Sequence, residues 1–122
     1  MYRDVTVKDL FTDYYLASGV TITSDPVDIG AHVANGNFSL QFYIQGSGTS
    51  VVAEYTLSND SVNYVQSSDG HTIATGLSSV SGLGANGRDL VSFSPPLAAR
   101  MKILFWLSAG TGSTITARLA LI

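Results

Sequence analysis

The fold is indicated by the C-terminal stretch, residues 100–122, which reads RMKILFWLSAGTGSTITARLALI. Each half alternates apolar residues with other residues at a period of two, which is typical of a β-strand with one buried face. The predicted inward residues are Met101, Ile103, Phe105, Leu107, Ile115, Ala117, Leu119 and Leu121. Between the halves, the glycines of Ala-Gly-Thr-Gly-Ser permit a tight reversal. We therefore predict a terminal β-hairpin whose turn is centred on Thr111.

The register of this hairpin follows from the position of its turn. The cross-strand pairs predicted on one face are Leu107–Ile115, Phe105–Ala117, Ile103–Leu119 and Met101–Leu121. Because all four pairs are apolar, this register is self-consistent. The opposite face carries Leu104, Trp106 and Ile122 among polar residues, so it is only partly polar. We expect these three side chains to be covered by another chain or by residues 1–13.

Shorter strand-like runs fill the rest of the chain. The clearest is FSLQFYIQ, residues 38–45, and a Gly-Ser-Gly-Thr turn separates it from residues 50–58, so the two runs predict a second hairpin. Pro26 interrupts residues 14–29, which predicts an edge strand, a bulge or two short strands there. Residues 71–75 and 88–94 are further strand candidates, and in the latter we expect Leu90 and either Val91 or Phe93 to be buried.

Turn-rich segments at residues 58–70 and 76–87 suit crossings between two sheets. With little helix and turn signals at short intervals, the pattern predicts an all-β fold, an antiparallel β-sandwich of seven or eight short strands, jelly-roll or Greek-key-like. We assign residues 14–122 to a single β-sandwich domain and residues 1–13 to an N-terminal arm. This arm is read as either an edge strand or a partner-binding extension, and its apolar residues Val5, Val7, Leu10 and Phe11 are candidate interface residues.

Composition narrows the classes of partner. The net charge is −3 and only 12% of residues are charged, about half the usual share, which gives no reason to expect nucleic acid or a membrane surface as a partner. There are no cysteines, so disulfides and thiolate metal sites are excluded. No stretch approaches the roughly 20 apolar residues of a membrane span. The N-terminus is charged where a secretory signal needs an apolar core, so we expect synthesis in a cytoplasm.

No group of residues predicts catalysis. Asp25, Asp28 and His32 are close in sequence, but the carboxylates of an Asp-x-x-Asp spacing point to opposite faces of a strand and do not converge on a metal. The glycines of residues 82–87 match a dinucleotide-binding pattern in letters only, because no helix follows them. Glu54 has no partner carboxylate in its own strand for glycosidase chemistry. We predict no enzymatic activity, no cofactor and no metal.

Aromatic residues on predicted outer faces are the remaining candidates for binding. Tyr43 and Trp106 are the best placed, and we expect them to contact protein partners. A carbohydrate-stacking platform is the alternative reading of the same two side chains.

Three stretches together are similar to a known class of protein. They are FSLQFYIQGSGT at residues 38–49, YTLSNDSVNY at residues 55–64, and SPPLAARMKI at residues 94–103 running into ITARLALI at residues 115–122. Their order resembles small β-sandwich structural proteins of tailed bacteriophages, of the capsid decoration, cement or accessory type. The resemblance implies a non-enzymatic, homo-oligomeric virion subunit that binds a major capsid protein or another virion protein.

The run PLAARMKI, residues 96–103, also resembles the late strands of discoidin-like carbohydrate-binding jelly rolls. That class usually has more aromatic residues and often a calcium site or a disulfide, and this chain has no cysteines. The alternative function is therefore a carbohydrate-binding or adhesion module.

Overall fold

The computed structural model describes residues 5–30 and 38–121. These residues form nine β-strands and no helix, which confirms the predicted all-β class with one strand more than the expected maximum. The strands are β1 (Thr6–Ala17), β2 (Thr21–Thr23), β3 (Val27–Asp28), β4 (Phe38–Gln45), β5 (Ser50–Ser58), β6 (Thr72–Leu77), β7 (Arg88–Phe93), β8 (Arg100–Ala109) and β9 (Gly112–Leu121).

Two antiparallel sheets pack face to face, which confirms the β-sandwich. Sheet A has the strand order β1-β9-β4-β7, and sheet B has the order β2-β8-β5-β6, with β3 also paired to β8. The connection at residues 78–87 crosses from sheet B to sheet A, as predicted. The connection at residues 59–71 does not cross, because β5 and β6 are neighbours in sheet B.

Both predicted hairpins are wrong. β8 lies in sheet B and β9 in sheet A, so the two strands face each other across the core instead of pairing edge to edge. The same is true of β4 and β5. Alternation specifies which side chains point inward, but it does not say whether the next strand lies beside the first or opposite it. A turn into the facing sheet buries the same side chains as a hairpin does.

The inward faces themselves are close to the prediction. Phe38, Leu40, Phe42 and Ile44 of β4 are buried, and so are the inward residues of β9. Across the core, the ring of Phe105 meets that of Phe11 edge to face, with centroids 5.7 Å apart. Other core residues include Leu16, Ile29, Val51, Tyr55, Leu57, Met101, Ile103, Ile115, Leu119 and Leu121. Apolar area removed from water between the sheets is the main stabilising term.

Leu90 is a correction to the predicted core. It lies on β7, the end strand of sheet A, opposite the exposed Gln41 of β4, and it is 55% exposed. The side chains that point inward from β7 are Val91 and Phe93, which are partly buried against the core. A short edge strand with an apolar residue on each face does not reveal from sequence which face is inward.

Pro26 separates two short strands, one of the predicted alternatives. β2 and β3 both pair with β8, and Ser24 between them also contacts β8. The Ser24 amide donates to the carbonyl of Ile103 at 2.8 Å, and its hydroxyl accepts the Ile103 amide at 2.9 Å. The side chain therefore satisfies a buried amide where the irregular edge has no backbone acceptor.

β1 runs through the predicted boundary between arm and domain at residue 13. Residues 6–13 pair with β9 and form part of the sandwich, with β1 as the end strand of sheet A. Register shifts fall between Asp9 and Phe11 and between Phe11 and Tyr14. At the second shift, Asp13 has a positive φ of 48°, and its amide donates to the Thr116 hydroxyl at 3.0 Å. Such bulges are typical of edge strands, because they interrupt the row of free backbone groups.

Candidate interaction surfaces

The outer face of sheet B does not expose the apolar patch that the sequence predicts. Leu104 is only 9% exposed and is buried within the monomer, which removes it from the candidate interface. It lies between Thr23 of β2 and Glu54 of β5, its neighbours across the sheet. Trp106 is half-buried opposite Val52, and Val52 is itself buried. Ile122 lies outside the described residues.

A polar cluster around Glu54 fixes Trp106 in place. The indole Nε1 of Trp106 donates to Glu54 Oε1 at 2.7 Å, and Gln66 Nε2 donates to the same oxygen at 3.4 Å. His71 Nε2 lies 3.5 Å from Glu54 Oε2. These contacts hold the segment at residues 59–71 against sheet B and satisfy a carboxylate that is largely removed from solvent. Sequence reasoning missed the cluster because it depends on the pairing of β5 with β8 and on the path of the segment that leads into β6.

Part of the predicted arm does form an exposed apolar surface. Val5 and Val7 are more than half exposed, whereas Leu10 is partly buried and Phe11 belongs to the core. Phe11 is therefore corrected from interface to core, because it points inward opposite Ala117 of β9. Two further exposed side chains, Tyr14 and Tyr15, lie on the same strand and were not predicted as interface residues. Val5, Val7, Tyr14 and Tyr15 are called the β1 surface below.

The outer face of sheet A has a different character, because it is polar and centred on Tyr43. The guanidinium carbon of Arg88 lies 3.8 Å from the centre of the Tyr43 ring. A depression of about 190 Å³ adjoins this pair. The side chains that line it on the outer face, called the Tyr43 depression below, are Gln41, Tyr43, Arg88, Thr116 and Arg118.

Acidic residues of β1 border the Tyr43 depression. Asp9 accepts a hydrogen bond from Arg118 Nε at 2.8 Å, and both side chains are largely exposed. The Thr116 hydroxyl contacts Asp13 Oδ1 at 3.4 Å. An exposed ion pair of this kind contributes little to stability, but it fixes the direction in which the guanidinium points.

A larger groove of about 520 Å³ lies at one end of the sandwich, between residues 57–68 and 96–98. Its wall includes a compact bend around Asp60. Hydrogen bonds from the backbone amides of Asn63 and Val62, and from the side chains of Asn63 and Ser58, hold the pKa of Asp60 well below its usual range. These bonds explain the Ser-Asn-Asp sequence as turn chemistry. The groove has no charged residue other than Asp60 and no aromatic residue in its lining.

The described residues contain no group of three or more histidine or acidic side chains that could hold a metal ion. Asp25 and Asp28 belong to this part of the chain, whereas His32 lies outside it. No helix among the described residues is long and apolar enough to cross a membrane.

Comparison with known proteins identifies the fold. No family model and no curated protein matches the sequence. A chain of the infectious bursal virus-derived T=1 particles is similar in structure, with a TM-score of 0.62 and 19% identity over 97% of this chain and 31% of that one. VP2 of the infectious bursal disease virus subviral particle is also similar in structure, with a TM-score of 0.50 and 20% identity over 97% of this chain and 32% of the viral one.

The CBM22-1 xylan-binding domain of Paenibacillus barcinonensis Xyn10C gives a TM-score of 0.52 and 6% identity, over 98% of this chain and 95% of that domain. This chain thus spans about a third of the viral chains that it matches and nearly all of the bacterial domain. At such identities, the likeness shows the fold alone. The chain has the β-sandwich fold that these viral and bacterial proteins share.

Proposed function

We propose that this chain is a non-enzymatic structural subunit of a virion, which self-associates through the β1 surface and binds a capsid lattice as a decoration, cement or accessory protein. The observation that carries the proposal is the exposure of Val7, Tyr14 and Tyr15 on the end strand of sheet A, and of Val5 immediately before it. Exposed apolar side chains concentrated on an edge strand are typical of an association surface.

The sequence of β1 is complementary to itself in the antiparallel direction. If two copies meet about a two-fold axis at Phe11, Val7 of one copy lies opposite Tyr15 of the other, and both side chains project from the outer face of sheet A. In the same register Val5 lies opposite Ala17, so a second apolar pair forms near the ends of the strand. Because the two-fold axis gives both strands the same bulges, their ends remain in register. The bulged middle limits backbone pairing, which favours a closed dimer over open-ended association.

A virion as the place of assembly is supported by two observations. The sequence resembles small bacteriophage β-sandwich proteins in three stretches, and the fold is shared with chains of infectious bursal virus particles. The low content of charged residues, 12%, also suits a subunit whose exterior is partly covered by neighbours. In this account, bridging of capsid subunits by the bound dimer would stabilise the lattice by mass action.

Substitution of Val7 by lysine tests self-association. We expect multi-angle light scattering to show a dimer for the wild-type chain at micromolar concentration and a dissociation constant roughly 30- to 150-fold higher for Val7→Lys. The estimate assumes a loss of about 2–3 kcal/mol, since a residue enters a two-fold interface twice.

Val62→Lys is the matched control, because Val62 is also highly exposed but lies in the bend after β5. It should leave the dimer unchanged. A wild-type chain that remains monomeric at these concentrations, or equal effects of the two substitutions, would contradict the proposal.

A carbohydrate-binding or adhesion module is the second candidate, favoured by the Tyr43 depression. An aromatic ring beside amide, hydroxyl and guanidinium groups offers an apolar face and hydrogen-bonding groups together, as a sugar ring requires. The xylan-binding domain with which this chain shares its fold makes the role compatible with the architecture. The two candidates use different surfaces of sheet A, so they can be tested separately.

A further inference from the structure

We propose that the Tyr43 depression binds an acidic saccharide, with the sugar carboxylate held between Arg88 and Arg118. This inference rests on the second candidate function, carbohydrate binding, and it adds the chemical class of the ligand. Five cationic residues belong to the described part of the chain, and two of them line this one depression in a protein of net charge −3. The site is therefore locally basic on an otherwise acidic protein.

Arg88 is available to a ligand. Within residues 5–30 and 38–121, no carboxylate forms an ion pair with it, and its guanidinium instead stacks on the Tyr43 ring at 3.8 Å. Stacking fixes the plane of the guanidinium while leaving the N–H groups at its edge free to donate. A planar, oriented fork of this kind matches the two oxygens of a carboxylate.

Arg118 approaches the depression from the neighbouring side. β9 pairs with β4, so that Arg118 lies opposite Gln41 and Thr116 lies opposite Tyr43. The Nε group of Arg118 donates to Asp9 at 2.8 Å, which directs the guanidinium and leaves its two terminal nitrogens for other acceptors. Asp9 offsets part of the positive charge, so the site favours a single carboxylate over a densely charged polymer such as nucleic acid.

The neutral groups of the depression suit sugar hydroxyls. The Gln41 amide can donate and accept. The Thr116 hydroxyl, which donates to Asp13, keeps one lone pair for a sugar hydroxyl, and the Tyr43 hydroxyl is oriented by a hydrogen bond from Gln45 Nε2 at 3.2 Å. The volume of about 190 Å³ is below the roughly 300–1,000 Å³ of sites for drug-sized ligands. The depression therefore fits one sugar unit of an oligosaccharide whose other units continue across the open face of the sheet.

An array of oligosaccharides that presents each acidic sugar both as the free acid and as its methyl ester tests the inference. The ester removes the charge and keeps the sugar ring, so the pair isolates the role of the carboxylate. We expect binding to at least one free acid, at least tenfold weaker binding to its ester, and at least tenfold weaker binding of the acid by Arg88→Gln and by Tyr43→Ala. Arg100→Gln, which removes a cation from sheet B, should bind as the wild type does.

The outcomes separate the inference from the function on which it rests. Equal binding of acid and ester would overturn the proposal that the ligand is acidic, but it would still agree with a carbohydrate-binding role. Absence of binding to every member of the array would overturn both. Equal losses in Arg88→Gln and Arg100→Gln would show attraction to overall charge and would overturn the assigned site. Thermal unfolding of each variant verifies that it folds.

Discussion

Replacement of Phe105 by alanine should lower the free energy of unfolding by about 3–5 kcal/mol, as large-to-small changes at buried aromatic residues do. Phe105 lies on β8 of sheet B, is fully buried, and contacts Phe11 of sheet A across the core. Its loss leaves a cavity between the sheets where the surrounding strands cannot close up. Urea unfolding followed by far-ultraviolet circular dichroism measures the change.

Leu90→Ala is the control for this experiment, because the sequence pattern places Leu90 in the core and the structure exposes it. We expect a change within about 0.5 kcal/mol, as for surface positions in general. If Leu90→Ala lowered the free energy of unfolding as much as Phe105→Ala does, β7 would present its other face to the core.

Replacement of Gly87 by alanine should destabilise the protein by about 2–5 kcal/mol. Gly87 is buried at the end of the connection that crosses from sheet B to sheet A, and its φ is +81°. A left-handed conformation costs a residue with a Cβ about 1–2 kcal/mol, and overpacking adds about 1–3 kcal/mol. Here the added Cβ would overlap the carbonyl oxygen of Ile44, whose amide donates to the Gly87 carbonyl at 2.9 Å.

Gly76→Ala separates the cost of the left-handed conformation from the cost of overpacking. Gly76 also has a positive φ, +66°, but no atom lies within 4 Å of the position of an added Cβ. This variant should show only the conformational cost of about 1–2 kcal/mol. If Gly87→Ala is no worse than Gly76→Ala in the same unfolding measurement, the close approach of residue 87 to β4 is incorrect.

The sequence predicts the two-layer architecture well, because the alternation of apolar and polar residues along a strand indicates directly which side chains are buried. The inward residues of β4 and β9 were identified from their period of two. Strand pairing could not be predicted, since β8 followed by β9 has the same pattern whether the turn makes a hairpin or enters the facing sheet. The jelly-roll arrangement depends on contacts between residues distant in sequence, and a single chain does not display these as a local signal.

The candidate surfaces were predictable only in part. Val5 and Val7 were identified as exposed apolar residues, but Leu104 is buried by its neighbours on β2 and β5. The hydrogen bond from Trp106 to Glu54 joins residues 52 positions apart, so alternation within β8 could not reveal it. Arg88 and Arg118 likewise come together only because β7 and β9 both flank β4.

Thiol cross-linking across β1 tests the central claim most directly. The chain has no cysteine, so Val7→Cys and Tyr15→Cys each introduce a single thiol. In the proposed dimer the two positions face each other, and opposed residues on antiparallel strands have Cβ atoms about 4.5–5.5 Å apart, close to the distance that a disulfide bridges.

After the two variants are mixed and oxidised, mass spectrometry should show mainly the mixed disulfide dimer of Val7→Cys with Tyr15→Cys. Val62→Cys, which lies away from β1, serves as the control partner and should not cross-link above background. If the mixed dimer is no more abundant than either homodimer or than products with Val62→Cys, the chain does not associate through β1 in this register.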